Sequence, residues 1–166
     1  MLKTITLIFA VVLGVTACTT PEPDDGTYRP KVFRISAAAT NKIMFRHLDT
    51  VNEIRTANGL QPVELSAQLN AAAKTHSVDM SNQQRPWHFG SDGSSPLDRV
   101  ARSGYTGLML GENISETYEN DTETLEIWMR DADTRSTILD QRARYLGFAW
   151  YQERNGKIWW TQLMGG

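Results

Sequence analysis

Cysteine occurs once in this chain of 166 residues, at Cys18. An intrachain disulfide framework is therefore excluded, and so is a metal site built on several cysteines. Charge of one sign is also lacking. Seventeen Lys and Arg stand against nineteen Asp and Glu, a formal charge of -2. Such a balance offers no electrostatic footprint for a nucleic acid, and none is expected as a partner. No internal repeat is visible. There is no Gly-x-Ser-x-Gly elbow, no His-Glu-x-x-His, no phosphate loop and no dinucleotide fingerprint. What is present describes one domain of ordinary size. Apolar residues at 40% and charged residues at 22% fit a folded domain and argue against global disorder.

The one long apolar run lies at the start. Met1, Leu2 and Lys3 precede an apolar stretch from Thr4 to Ala17, the length of a signal-peptide core and short for a membrane span. It ends in Val15-Thr16-Ala17-Cys18, which resembles a bacterial lipobox. The resemblance implies that residues 1–17 are a lipoprotein signal peptide, that Cys18 is lipidated and that it begins the mature chain. Two or more acyl chains then hold the protein on a membrane. Thr19 in place of Asp points, by the same resemblance, to the outer membrane. Residues 18–33 follow as a tether. Pro21, Pro23 and Pro30 with Glu22, Asp24 and Asp25 describe an extended segment without a core. The folded domain is expected over residues 34–166.

Within it, helices come first and strands last. Met44, Leu48, Val51 and Ile54 recur at helical spacing, and Asn58-Gly59 is a stop signal. Ser66 caps a second helix with Leu69, Ala72, Ala73, His76 and Met80 on one face. Ser95-Pro96, with Asp98 near the positive end, starts a short third helix that stops at Gly104. Asn120 or Asp121 begins a fourth, which carries Leu125, Trp128 and Met129. The period then changes. Tyr145 to Glu153 and Lys157 to Met164 are rich in aromatics and flank Arg154-Asn155-Gly156, a strong hairpin signal. Leu146, Phe148 and Trp150 fall on one face of the first strand, and Tyr145, Ala149 and Tyr151 on the other. Strands apolar on both faces are covered on both. The expected class is α+β, a three-layer α-β-α sandwich around a central antiparallel sheet.

Four pieces then carry a family resemblance, in order: Asn52-Glu-Ile-Arg-Thr-Ala-Asn-Gly-Leu60, Trp87-His-Phe-Gly-Ser-Asp-Gly-Ser-Ser-Pro96, Gly111-Glu-Asn-Ile114, and Trp128 followed by Thr134-Arg-Ser-Thr-Ile-Leu139. From Val51 to Gly165 the chain resembles the CAP superfamily of cysteine-rich secretory, antigen 5 and pathogenesis-related proteins, specifically its bacterial, SCP-like branch. The resemblance implies the same α-β-α sandwich and a cavity of two histidines and two acids, which in several members holds a divalent metal. His88 matches the first histidine, Glu112 the acid of Gly-Glu-Asn, and Asp131 the second acid. The second histidine falls on Thr134, whose hydroxyl is a poor zinc ligand beside imidazole. No cofactor is therefore assigned. Zinc is the metal the resemblance allows, on His88 and Glu112, and Thr134 weakens it.

Each residue also has a plainer reading. His88 and Glu112 make a structural pair that pins two loops. His76 is a satisfied core histidine, and His47 is structural or exposed. Gly90-Ser-Asp-Gly-Ser-Ser95 is a turn with too few ligands for calcium. Trp150, Trp159 and Trp160 belong to the core or the sheet surface. Ser91 near His88 permits a serine hydrolase to be drawn, and it needs an activating hydrogen bond. Three functions stay open: a non-catalytic envelope binding module for a peptide, glycan or lipid; a peptidase-like hydrolase using His88 and Glu112 as candidate catalytic residues, with or without a metal; and a structural envelope protein with a vestigial cavity.

Overall fold

A computed structural model describes residues 33–166. The signal peptide, Cys18 and nearly all of the tether lie outside the described residues. A short 3-10 turn at Ala37–Ala39 leads into α1, Thr40–Ala57. Then come β1 (Glu64–Leu65), α2 (Ala67–Gln83), α3 (Pro96–Arg102), β2 (Met109–Thr117), α4 (Asp121–Arg130), α5 (Ala132–Ile138), β3 (Tyr145–Gln152) and β4 (Ile158–Gly165).

The helix boundaries follow local chemistry. Ser66 Oγ accepts from Leu69 N at the start of α2. Ser95 and Asp98 form a reciprocal capping box at the start of α3, with Pro96 in its first turn. Asn120 and Glu123 do the same for α4. Gly59, with φ of +73°, follows the end of α1. The buried stripe of α1 is Ile43, His47, Val51 and Arg55, so two polar residues stand where periodicity alone expects apolar ones. Arg55 is fully buried and donates to the carbonyls of Gln61, Ile138, Asp140 and Ala143. It thereby satisfies carbonyls left open at the end of α5.

The strand order is β1-β3-β4-β2. β3 and β4 pair antiparallel, with Trp150 opposite Trp160, and β4 pairs antiparallel with β2, with Leu163 opposite Glu112. The sheet departs from the antiparallel expectation at one edge, where β1 runs parallel to β3 through Glu64 and Leu65. Beyond β1 the edge of β3 is covered by side chains of α2: Phe148 N donates to Asn70 Oδ1, and Lys74 Nζ donates to the Trp150 carbonyl.

Helices cover both faces, as expected for the three-layer α+β sandwich. On one face Ile43, Val51, Leu125, Trp128 and Ile138 pack with Leu146, Phe148, Trp160 and Met164. On the other, Leu69, Ala72, Ala73 and Val100 pack with Ala149 and Leu163. The second face is tight. A Cβ at Gly147 would lie 2.4 Å from the backbone carbon of Leu69, so only glycine lets α2 sit this close. Tyr145 and Tyr151, expected on a covered face, are instead 41% and 37% exposed.

Sequence reading missed β1, β2 and α5. Within Met109–Thr117, Glu112, Asn113, Ser115, Glu116 and Thr117 outweigh the apolar Met109, Leu110 and Ile114, so the segment lacks the apolar alternation of a half-buried strand. It is a strand because β4 pairs with it along its length.

Candidate functional site

Glu112 stands on β2 opposite Leu163, on the face that α2 and α3 cover. Its side chain is 2% exposed, and burial of a carboxylate demands compensation. Arg99 of α3, itself 5% exposed, provides it. Arg99 Nη2 donates to Glu112 Oε2 at 2.7 Å and to Oε1 at 3.0 Å. Its Nη1 donates to the His88 carbonyl at 2.8 Å and to the Ser94 carbonyl at 3.3 Å. One guanidinium therefore neutralises the acid and ties down the loop that carries His88.

His88 Nδ1 lies 2.8 Å from Glu112 Oε1, and its ring is 51% exposed. A carboxylate accepts only, so the bond places a proton on Nδ1, and in the neutral ring Nε2 is then an acceptor. His76 of α2 reaches the same carboxylate from inside. It is fully buried, its Nε2 is 3.8 Å from Glu112 Oε1, and that nitrogen donates to the Trp87 carbonyl at 3.0 Å. Its Nδ1 has no partner. Burial pushes the His76 pKa below the ordinary value, against the opposing pull of Glu112.

The loop around His88 is held on several sides. Trp87 Nε1 donates to Gln83 Oε1, and the Arg85 guanidinium lies 4.0 Å from the Trp87 ring centroid. Phe89 is 49% exposed, its ring tilted against Trp87 at 5.6 Å. Ser91 donates through both its backbone N and its hydroxyl to Asp79, at 2.8 and 2.6 Å. Gly93, with φ of +78°, completes the turn.

The four residues carried over from the family resemblance separate into two pairs. His88 and Glu112 meet. Asp131 and Thr134 meet elsewhere, at the start of α5. Asp131 caps that helix by accepting from Asp133 N and Thr134 N, both at 3.0 Å. Thr134 Oγ1 donates to the Trp128 carbonyl at 2.6 Å. Neighbours on a strand point to opposite faces. Glu112 turns toward α3, whereas Asn113 Nδ2 donates to the Thr134 carbonyl at 2.9 Å. No hydrogen bond or ion pair joins the two pairs among the described residues.

This donor set does not fit a metal ion as it stands. Both oxygens of Glu112 are engaged by Arg99, and the Thr134 hydroxyl is turned to a carbonyl. Among the described residues, no group of three or more His, Cys, Asp or Glu is disposed to hold one. Two members of the cluster escape sequence reading. Arg99 is one basic residue among many, and its partner lies on another element. His76 reads as a core histidine, which it is, and nothing in the helical pattern signals the acid beside it.

The chain belongs to the cysteine-rich secretory protein family, CAP, whose model matches residues 48–164. It is 26% identical over 118 residues to the uncharacterized protein YkwD of Bacillus subtilis, covering 71% of this chain and 45% of that one. It is 28% identical over 100 residues to the uncharacterized membrane protein YlbC of the same organism, covering 60% of this chain and 29% of that one. The chain thus spans less than half the length of these curated relatives. Two solved structures share the fold. An outer surface protein of Borrelia burgdorferi superposes with a TM-score of 0.70 at 14% identity, over 76% of this chain and 93% of that one. An extracellular SCP-domain protein of Bacillus anthracis does so with a TM-score of 0.69 at 21% identity, over 80% and 44%.

Proposed function

We propose that this protein is a non-catalytic binding module of the cell envelope, anchored through lipid on Cys18, which presents the His88 loop to an envelope or extracellular ligand. The lipobox resemblance and the outer-surface and extracellular descriptions of its structural neighbours support the placement. Thr19 favours the outer membrane. The observation that carries the reading is the state of His88. Its Nδ1 proton is committed to Glu112, whose charge Arg99 already balances, and the half-exposed ring is followed in the same loop by the half-exposed Phe89. That combination suits a ligand with a hydrogen-bond donor next to an apolar body, a description met by peptides, glycans and lipids. A serine hydrolase is disfavoured because the Ser91 hydroxyl gives its proton to Asp79 rather than to an imidazole.

The test is a thermal-shift screen of the purified protein against envelope-derived peptides, glycans and lipids, wild type beside His88→Ala. A ligand that stabilises the wild type and loses that effect in the variant supports the module. Hydrolysis of a peptide library by the wild type, abolished in His88→Ala, would replace it with the peptidase reading. Silence in both assays would favour a structural envelope protein.

A further inference from the structure

A strand at the edge of a sheet presents a row of backbone donors and acceptors, and proteins close such rows. This sheet closes one edge and leaves the other open. On β3, β1 pairs with Tyr145 and Leu146, while Asn70 and Lys74 engage the Phe148 N–H and the Trp150 carbonyl. β2 is the opposite edge. Hydrogen bonds of an antiparallel ladder alternate in direction along each strand. The Leu146 carbonyl and the Phe148 N–H point away from β4, so Gly147, Ala149 and Tyr151 bond to Leu163, Thr161 and Trp159. Trp160 and Gln162 then bond to Ser115 and Asn113, and Ile114 and Glu116 turn their backbone groups outward. The Ile114 carbonyl fits this phase, since it accepts from Trp128 Nε1 at 3.3 Å. No other hydrogen bond to the outward Ile114 and Glu116 backbone is made among the described residues. A groove of about 430 Å³ lies along this stretch. It takes Pro86 from the segment after α2, and Thr124 and Ile127 from α4, helices on opposite faces of the sheet. Glu116 and Glu119 line it as well.

We propose that the open edge of β2, from Ile114 to Thr117, receives an extended peptide as an added strand, one in which basic and apolar side chains alternate. The proposal rests on the binding-module reading and names its ligand class. The spacing selects a polypeptide. Outward groups two residues apart recur about every 6.8 Å, the repeat of a second strand and not of a glycan or an acyl chain. The pleat sets the alternation. Glu116 projects to the same face as Glu112 and Ile114, so the side chain opposite it is basic. The next residue of the peptide turns to the α4 face, where Ile127, 44% exposed, suits an apolar group. Lys157 Nζ stands 3.5 Å from Glu116 Oε1, and Glu119 makes no ion pair among the described residues. The groove therefore keeps an acid in excess. A second copy would bring its own acids to the same place, which like charge opposes. His88 belongs to the same elements: it follows Pro86 by two residues, and its partner Glu112 precedes Ile114 by two on β2.

Fluorescence anisotropy of the purified protein with a labelled peptide of alternating Val and Lys tests this. Its controls are the Val and Glu counterpart and an N-methylated form that cannot donate. The Val-Lys peptide should bind saturably, and each control about tenfold more weakly or worse. Glu116→Pro removes an outward N–H that β4 does not use and should weaken binding about tenfold. Ile127→Lys, on the exposed side of α4, should weaken it too and serves if Glu116→Pro does not fold. No saturable binding of the Val-Lys peptide, equal binding of the N-methylated form, or indifference to both groove variants would overturn the proposal. A dimer found by sedimentation in the wild type and abolished by Glu116→Pro would also overturn it, by giving the edge to a second copy. A glycan or lipid that stabilises the wild type and depends on His88 alone would overturn it while leaving the binding module standing. Peptide binding lost in the groove variants and kept in His88→Ala would support the edge and remove His88 from the site.

Discussion

Removing the Glu112 carboxylate is the perturbation whose cost the structure defines most closely. In Glu112→Ala, Arg99, 5% exposed in the wild type, loses the acceptors of its Nη2, while the His88 and Ser94 carbonyls are still there for Nη1. Breaking one side of a buried pair costs about 3 to 5 kcal/mol. The two retained carbonyls set the expectation at the lower end, about 3 kcal/mol. The bond to His88 adds little, because that ring is half in solvent. Urea unfolding should show the midpoint falling at unchanged slope. The double variant Glu112→Ala/Arg99→Met removes the stranded charge and should recover much of the loss, since a buried pair exchanged for apolar groups is close to neutral. The coupling expected from that cycle is about 2 kcal/mol, within the range for contacting residues. A loss below about 1 kcal/mol for the single variant, the range of an exposed pair, or a double variant equal to the sum of the two singles, would refute the account of Glu112 as a buried, arginine-balanced acid.

Three further outcomes are expected. Gly147→Ala places a methyl 2.4 Å from the Leu69 backbone and should destabilise by about 1 to 3 kcal/mol; an unchanged urea midpoint would contradict the close seat of α2. The His47 imidazole, stacked on Phe148 at 3.6 Å, is pushed down to about 4 by burial, with the Gln162 hydrogen bond opposing. Unfolded, it takes up a proton near 6.5, so between those values the unfolded state binds more protons, and stability falls as pH drops from about 6.5 to 4, by about 3 kcal/mol. Urea midpoints measured across that window should decline in the wild type, and His47→Phe should flatten the decline. Cys18→Ser should move the protein from the membrane to the soluble fraction without lowering its melting temperature, and a variant that stays with membranes would dismiss the lipobox.

What could be read directly from the chain was local. Ser66, the Ser95/Asp98 box and the Asn120 cap mark helix starts because a side chain within three residues satisfies the open backbone groups. Arg154-Asn155-Gly156 marks the hairpin because Gly156 accepts a positive φ of 101°. Aromatic strands apolar on both faces imply covering layers, and both faces are covered. His88 and Glu112 were reached through family resemblance, with no spacing in this chain to announce them. The rest needed the fold. β2 has little hydrophobic alternation, and only pairing with β4 makes it a strand. Its pleat then decides the chemistry: Glu112 turns to α3, where Arg99 binds it, and Asn113 donates to the Thr134 carbonyl on α5. Arg99, thirteen residues from Glu112, and His76, on the buried face of α2, become partners of that acid because a buried carboxylate selects whatever cation and donors the packing brings within reach, and that selection is made across elements, where sequence spacing carries no information.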